Sequence, residues 1–597
     1  MITIKNLSYS VPEKELYKDI SFTIEENYHY AFIGSNGTGK STLIDMILHQ
    51  DQYLYDGKIL LDESAVSSRI GYVSQFTGEN TDSGKTVFSF LSEEFVRLDK
   101  QIEMLCDRMA EETDLDEVFD SYQQTLDEKD AIDGDHYEVN IRKQLKLAGI
   151  EQLENQTLNT LSGGEFKLIQ VIREMLLSPK MLFLDEPDVF LDFDHVNALT
   201  ALINSFKGTL VVITHSRFLL NHCFNRIIHL EGCEIQTFEG CYADYNFELL
   251  STKAELEEIA AKEEAEIERQ QAIVNKTRAL ATEIDSASLG KTVHARQTLL
   301  DRLKNRRTKL PFVEIQKPAF VFETDLNETI EDINTEETKE LSSGEAGTIL
   351  SVRDYQTEFD HELLNHISFE LKRGEKAAIV GRNGSGKTTI IRDITEGRNS
   401  AVSIDPGVKT AMFSQVVGSF SLSHGSVREI LMDKGFRNDD EITEYLCRFG
   451  FTKEVLRKNL NQLSGGERDT LQIAVMMLEK ADLLLLDEPT GHLDLYAQIA
   501  LEEALKSYKG SVLMVSHDFE IIANCMDHVL FVDQHELRRM SIRKFRQMVY
   551  REHFDRDDLL KEDARKSLEI RIDELLEKHQ YEAAKEQLER LEKVLKS

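Results

Sequence analysis

Two stretches of this chain carry residues whose types and spacing could hold phosphate. Gly34-Ser35-Asn36-Gly37-Thr38-Gly39-Lys40-Ser41 and Gly381-Arg382-Asn383-Gly384-Ser385-Gly386-Lys387-Thr388 both obey the pattern G-x-x-x-x-G-K-[ST]. In that spacing the glycines let backbone N–H groups curl around phosphate oxygens. The lysine brings charge to the β/γ-phosphates, and the Ser or Thr hydroxyl reaches Mg2+. Thr42 and Thr389 follow directly and belong to the same phosphate-binding sets. Two carboxylate pairs complete the chemistry. Asp185-Glu186 and Asp487-Glu488 each end an apolar run, where an aspartate can hold the metal through water and the adjacent glutamate can polarise an attacking water.

Elements must place these groups together. Each phosphate loop follows a short apolar strand, 30–33 or 377–380, and opens a helix-like run. The runs before Asp185 and Asp487 are apolar throughout, as buried parallel strands are. Ligand groups belong at the carboxyl ends of such strands. His215 and His517 end another apolar strand each and can contact the γ-phosphate. Gln75 and Gln415 each follow a short strand.

The same order of motifs occurs twice. Leu161-Ser162-Gly163-Gly164-Glu165 recurs as Leu463-Ser464-Gly465-Gly466-Glu467. Ser162 and Ser464, Glu186 and Glu488, and His215 and His517 are each 302 positions apart, while Lys40 and Lys387 are 347 apart. The first copy therefore carries an insertion, localised to about 95–145. These elements resemble the ATP-binding cassette (ABC) superfamily. The resemblance implies an α/β fold: two ABC-type P-loop nucleotide-binding domains joined by a helical-hairpin linker, with a helical C-terminal tail. It implies ATP and Mg2+ as cofactors and ATP hydrolysis as the reaction. In that family a Ser-Gly-Gly signature faces the γ-phosphate bound to the other cassette, so an intramolecular head-to-tail sandwich is expected. Site one joins Lys40, Ser41, Asp185, Glu186 and His215 to Ser464, Gly465 and Gly466. Site two joins Lys387, Thr388, Asp487, Glu488 and His517 to Ser162, Gly163 and Gly164. Ser41, Asp185 and Gln75, and Thr388, Asp487 and Gln415, are the expected metal groups. Tyr9 is the expected adenine-stacking residue, with Tyr355 and Phe359 both open for the second cassette. One departure is local: Glu488-Pro489-Thr490-Gly491-His492-Leu493-Asp494 is close to the Glu-Pro-Thr-Asn-His-Leu-Asp of related proteins, whereas Glu186-Pro187-Asp188-Val189-Phe190-Leu191-Asp192 is not.

The expected domains are 1–245, 246–316 (linker), 317–550 and 551–597 (tail). Residues 319–345 read as a first strand and an acidic surface loop. The linker invites two helices meeting near Ser286–Lys291, with Leu256, Ile267, Val274 and Ala281 in one seam and Leu299, Leu303 and Leu310 in the other. The whole chain of 597 residues has a formal charge of −37. Yet from Arg269 to Leu310 ten basic residues face three acidic ones, the footprint of phosphate-backbone binding. The inserted segment is the reverse: Asp99–Leu145 holds 15 acidic and 5 basic residues. In the tail, Leu568, Ile572 and Leu575, then Ala584, Leu588, Leu591 and Leu595, suggest a coiled-coil hairpin or a helix on the second cassette.

Tandem cassettes, a basic helical linker and Gly240-Cys241-Tyr242-Ala243-Asp244-Tyr245 before it resemble the ABC-F family. That resemblance implies action on the ribosome, with the linker directed at large-subunit rRNA and P-site tRNA near the peptidyl-transferase centre. Antibiotic protection and translation rescue both fit. The alternative is a soluble ATPase subunit of a membrane transporter. No apolar run approaches a membrane span, and six irregularly spaced cysteines fit a reducing compartment. A cytoplasmic monomer is expected.

Overall fold

The computed structural model describes residues 1–597 except 13, 63–68, 76–83, 112–115, 190, 285–286, 306–316, 325–346, 358–363, 398, 415–424, 534, 552–555 and 597. Two compact units emerge: Met1–Thr237 with Gln316–His553, and Phe238–Ile315 with Phe554–Ser597.

The first unit contains both repeats. In the first, β1 (Ile2–Val11), β2 (Lys14–Ile24) and β4 (Asp56–Leu61) form a three-stranded sheet in the order β2-β1-β4. A six-stranded sheet has the order β5-β6-β7-β3-β8-β9, built from β3 (His29–Ile33), β5 (Ile70–Val73), β6 (Met181–Asp185), β7 (Thr209–Ile213), β8 (Arg226–Glu231) and β9 (Glu234–Glu239). Every residue of β6 and β7 is buried, and both lie between parallel neighbours. That enclosure is why they read as unbroken apolar runs rather than alternating ones. One core joins the two sheets, with Ile2, Ile4 and Leu7 packing beside Phe32, Phe183 and Val211.

The second repeat has the same plan. β10 (Thr348–Tyr355), β11 (Ile367–Lys372) and β13 (Val402–Ile404) form the small sheet. β12 (Lys376–Gly381), β14 (Thr410–Phe413), β15 (Leu483–Asp487), β16 (Ser511–Val515), β17 (His528–Asp533) and β18 (Glu536–Ser541) form the large one, in the order β14-β15-β16-β12-β17-β18. The expected strand near 319 is absent. Residues 317–324 carry no ladder; Phe320 and Phe322 are buried, stacked on Phe449 and edge-on to Tyr508, and Thr324 Oγ1 donates to Asp482 Oδ1 at 2.9 Å. Side-chain anchorage replaces strand pairing there. The acidic part, 325–345, lies outside the described residues.

The inserted segment is helical, running through Val87–Glu111, Asp116–Ala131 and Tyr137–Leu147. Lys129 ties it together, 2.9 Å from Asp99 and 2.7 Å from Asp135.

The second unit holds the linker helices, Tyr242–Ile284 and Ala287–Asn305, and the tail helices, Arg556–Glu577 and Tyr581–Leu595. Forty-three residues make the first helix about 64 Å long at ~1.5 Å per residue. Val274 on this helix and Leu300 on the return helix are buried in the seam between them, while Leu299 is 46% exposed. The expected seam on the return helix was thus one residue out of phase, because the packed face follows 293, 296, 297 and 300. Leu303, Leu310 and the side chains around the tip lie outside the described residues. The tail forms a helical hairpin against the base of the linker. Leu250 and Ala254 meet Ile572, Leu575, Ala584 and Leu588, and Lys253 pairs with Asp573 at 3.1 Å.

Candidate functional site: two phosphate loops facing two signatures

The helix Lys40–Leu48 begins at Gly39, which has φ 99° and no side-chain cap. Its first-turn N–H groups are left for an anion. A Cβ on Gly39 would lie 2.7 Å from the Tyr17 hydroxyl, so close approach as well as positive φ demands glycine. Tyr17 Oη donates to Gly39 O at 2.6 Å and also meets the Thr42 hydroxyl. The helix Lys387–Glu396 opens the same way at Gly386. Lys40 Nζ donates to Gly34 O at 2.9 Å and Ser35 O at 3.0 Å; Lys387 Nζ donates to Gly381 O at 2.8 Å and Arg382 O at 2.7 Å. Burial lowers both lysine pKa values.

Both glutamates sit in one unusual turn. Glu186 and Glu488 have φ of 45° and 51°, in the left-handed region that non-glycine residues avoid. Glu186 N donates to Ile213 O and Glu488 N to Val515 O, each at 2.9 Å. The backbone thus stays paired to the next strand while the chain turns, lifting each glutamate to the sheet's carboxyl edge. Burial pushes each glutamate up to about 7. A carboxyl group near neutrality is matched to moving a water proton.

Their partners differ. Gln75 Nε2 donates to Glu186 Oε2 at 2.6 Å. Glu488 Oε2 accepts from His517 N at 3.2 Å, and His517 Nε2 lies 3.5 Å from Glu488 Oε1. Gln415 lies outside the described residues. Asp188 lies half-buried beside Glu186 and is pushed up to about 6 by desolvation, whereas Thr490 holds the corresponding place in the second copy. Lys167, brought down to about 8 by burial, holds the loop of Gln75 by donating to Ser74 O and Gln75 O.

Asp185 and Asp487 are buried and raised by that burial. Thr388 Oγ1 donates to Asp487 Oδ1 at 3.1 Å, and Ser41 bonds to Asp185 likewise. Asp185 Oδ1 and Asp487 Oδ2 have no hydrogen-bond partner among the described residues. A buried acceptor left over beside a hydroxyl fits a hydrated divalent cation. The ring nitrogens of His215 and His517 also have no hydrogen-bond partner among the described residues. Burial drives His215 far down and His517 to about 3, so each is a neutral imidazole able to donate one hydrogen bond.

The two repeats interlock. Asn36 N donates to Asp494 Oδ2 at 2.9 Å and Asn36 Nδ2 to His492 O at 2.8 Å. In mirror, Asn383 N donates to Asp192 Oδ2 at 3.1 Å, and Arg382 Nε lies 3.1 Å from Asp194 Oδ2. A Cβ on Gly466 would meet Asn36 Nδ2 at 2.1 Å, so the second signature lies directly on the first phosphate loop. The first signature, Ser162–Gly164, shares a cavity of about 740 Å³ with Lys387, Thr388, Thr389, Glu488 and His517. Each signature serine caps its own helix in a capping box with Glu165 or Glu467.

Tyr9 stacks on Tyr17 and lies edge-on to Tyr53. Tyr355 is fully buried, its hydroxyl donating to Asp393 Oδ2 at 2.7 Å, so it offers no face to a base. Phe359 lies outside the described residues. Asp192, Asp494 and Lys167 were missed as site residues; the 302-residue offset shared by Asp192 and Asp494 was the available signal.

A family profile described as "ABC transporter" matches residues 17–189 and again 364–491. The chain belongs to the ABC transporter family. It is an ATPase, and its tandem cassettes match ABC-F proteins over most of the chain. It is 27% identical to "ABC transporter F family member 2" of Arabidopsis thaliana over 89% of this chain and 76% of that one. It is 26% identical to "Ribosome protection protein VmlR" of Bacillus subtilis (strain 168) over 87% and 84%. A solved structure, "RNase-L Inhibitor", aligns over 92% of both chains with a TM-score of 0.55 at 19% identity, a likeness of fold. Among the described residues no helix of this ABC protein is long and apolar enough to cross a membrane.

Proposed function

We propose that this ABC-F ATPase acts on the ribosome, closing its cassettes around two ATP molecules to direct the linker toward the peptidyl-transferase centre. The observation that carries this reading is the 43-residue linker helix and its 19-residue return, with ten basic residues against three acidic ones from Arg269 to Leu310 in a chain of net −37. Phosphate-backbone binding calls for such a concentration of charge. The similarity to a protein named for ribosome protection supports it. So does the fold's likeness to the protein in "Model of ribosome-bound archaeal Pelota and ABCE1", at a TM-score of 0.53. Protection against an antibiotic and rescue of a stalled ribosome are the two outcomes this placement serves. The protein works as a cytoplasmic monomer.

Each step belongs to named residues. The loops at Gly34–Ser41 and Gly381–Thr388 bind the phosphates, Lys40 and Lys387 swinging from the loop carbonyls to the β/γ-phosphates. Ser41 with Asp185, and Thr388 with Asp487, would hold Mg2+, which would supply positive charge to the phosphates. Glu186 and Glu488 orient the attacking water and accept its proton. Neutral His215 and His517 donate to the γ-phosphate. The opposite signature encloses the site and excludes water.

The test is sedimentation with 70S ribosomes of the Glu186→Gln, Glu488→Gln protein in ATP. Co-sedimentation that falls when Arg269, Lys276, Arg278 and Arg296 are neutralised supports the reading. Recovery with membranes and none with ribosomes refutes it and favours a transporter subunit.

A further inference from the structure

One charge cluster between the cassettes has no twin. Arg217, two residues after His215, reaches out of the first cassette. Its Nη1 donates to Glu502 Oε2 at 2.6 Å, and its Nη2 lies 3.9 Å from Asp518 Oδ2. Asp518 directly follows His517. At the 302-residue offset the counterparts of Arg217 and Glu502 are Phe519 and Thr200, which cannot form an ion pair.

The surroundings explain what the guanidinium does. Arg217, Glu502 and Asp518 side chains are only 12%, 8% and 14% exposed. Within the second cassette Glu502 Oε1 accepts from Lys506 Nζ at 2.7 Å and Asn524 Nδ2 at 2.9 Å. Asp518 caps the helix Phe519–Cys525 by accepting from Glu520 N at 2.9 Å and Ile521 N at 3.3 Å. Glu520 is buried beside them. Lys506 thus serves Glu502, while across the interface Arg217 faces all three carboxylates. Burial opposes the charge on Arg217, but Glu502 and Asp518 outweigh it and raise its pKa. Parting the cassettes leaves those carboxylates short of one cation.

We propose that Arg217 is a positioning residue that ties the turn of His215 to the turn of His517, so that the sites on either side close as one. Its side chain bridges the turn of His215 and the turn of His517, and it forms the ion pair between those turns that the repeat does not duplicate. The proposal rests on the ATPase geometry and is independent of the ribosome.

The test measures kcat and KM for ATP in two backgrounds, Glu186→Gln and Glu488→Gln, each leaving one catalytic glutamate. Arg217→Met should lower kcat about tenfold or more in both, with KM changed much less. Arg217→Lys should recover most of the loss, and the exchange Arg217→Glu with Glu502→Arg should recover part. The isosteric Glu502→Gln replaces Arg217→Met if the latter lowers the melting temperature. An unchanged kcat, a loss confined to one background, or a loss that lysine does not relieve overturns the assignment.

Discussion

Asp494→Asn separates closure of the cassettes from folding. Asp494 Oδ1 accepts from Ala497 N at 2.9 Å and caps the helix Leu495–Ser507, while Oδ2 accepts from Asn36 N at 2.9 Å across the interface. Asparagine keeps one oxygen for the cap, a role it fills as well as aspartate. It then turns an NH2 group toward the Asn36 N–H, so the bond between cassettes is lost. A hydrogen bond to a charged acceptor contributes about 1.5–3 kcal/mol, which is about 10- to 150-fold in the closure equilibrium. The assay is a titration of ATP in the Glu186→Gln, Glu488→Gln protein, with closure read by energy transfer between dyes on the two cassettes. Half-saturation should rise at least about tenfold, while the melting temperature stays near that of the parent. Asp494→Ala also removes the cap, a further loss of about 1 kcal/mol, and should lower the melting temperature as well. A half-saturation within twofold of the parent for both variants would refute the reasoning.

Other outcomes follow from the same geometry. Glu186→Gln with Glu488→Gln should abolish multiple-turnover phosphate release, and each single change should leave the other site turning over. The base form of a carboxyl exists above its pKa, and burial pushes both glutamates up to about 7. Single-turnover rates should therefore fall as pH drops through about 7. Asp188→Thr removes a negative neighbour of Glu186 and should move the site-one midpoint to lower pH, measured in the Glu488→Gln background. Leu588→Asp places a carboxylate in the cluster of Leu250 and Ile572 and costs about 3 kcal/mol or more there. Hydrogen exchange over 250–262 should accelerate while ATP turnover by the cassettes is retained.

The fold was legible where one residue type does one job. Glycines at fixed spacing marked the phosphate loops, and unbroken apolar runs marked strands enclosed on both sides, such as Met181–Asp185. The repeat offset carried the plan of the first cassette onto the second. What the sequence hid was relational. Leu300 rather than Leu299 faces the linker seam, because helix phase drifts across a turn whose geometry no residue type declares. Phe320 and Phe322 resembled strand residues because a buried anchor and a buried strand use the same side chains. Asp192 and Asp494 each cap their own helix with one oxygen, and the second finds its partner only once the opposite loop is in place. Arg217 was hidden for the converse reason, since comparing the repeats brings out what they share.

The central claim, that one chain folds its two cassettes head to tail so that each signature meets the other's phosphate loop, is tested most directly by cross-linking. Arg382 and Asp194 are exposed and 3.1 Å apart across the interface. Cysteines at those positions, in a protein lacking exposed Cys106 and Cys447 and carrying Glu186→Gln and Glu488→Gln, can be joined by a short bis-maleimide. The account predicts rapid cross-linking within single chains that ATP accelerates further. Cross-links only between chains, or none with ATP present, would contradict it.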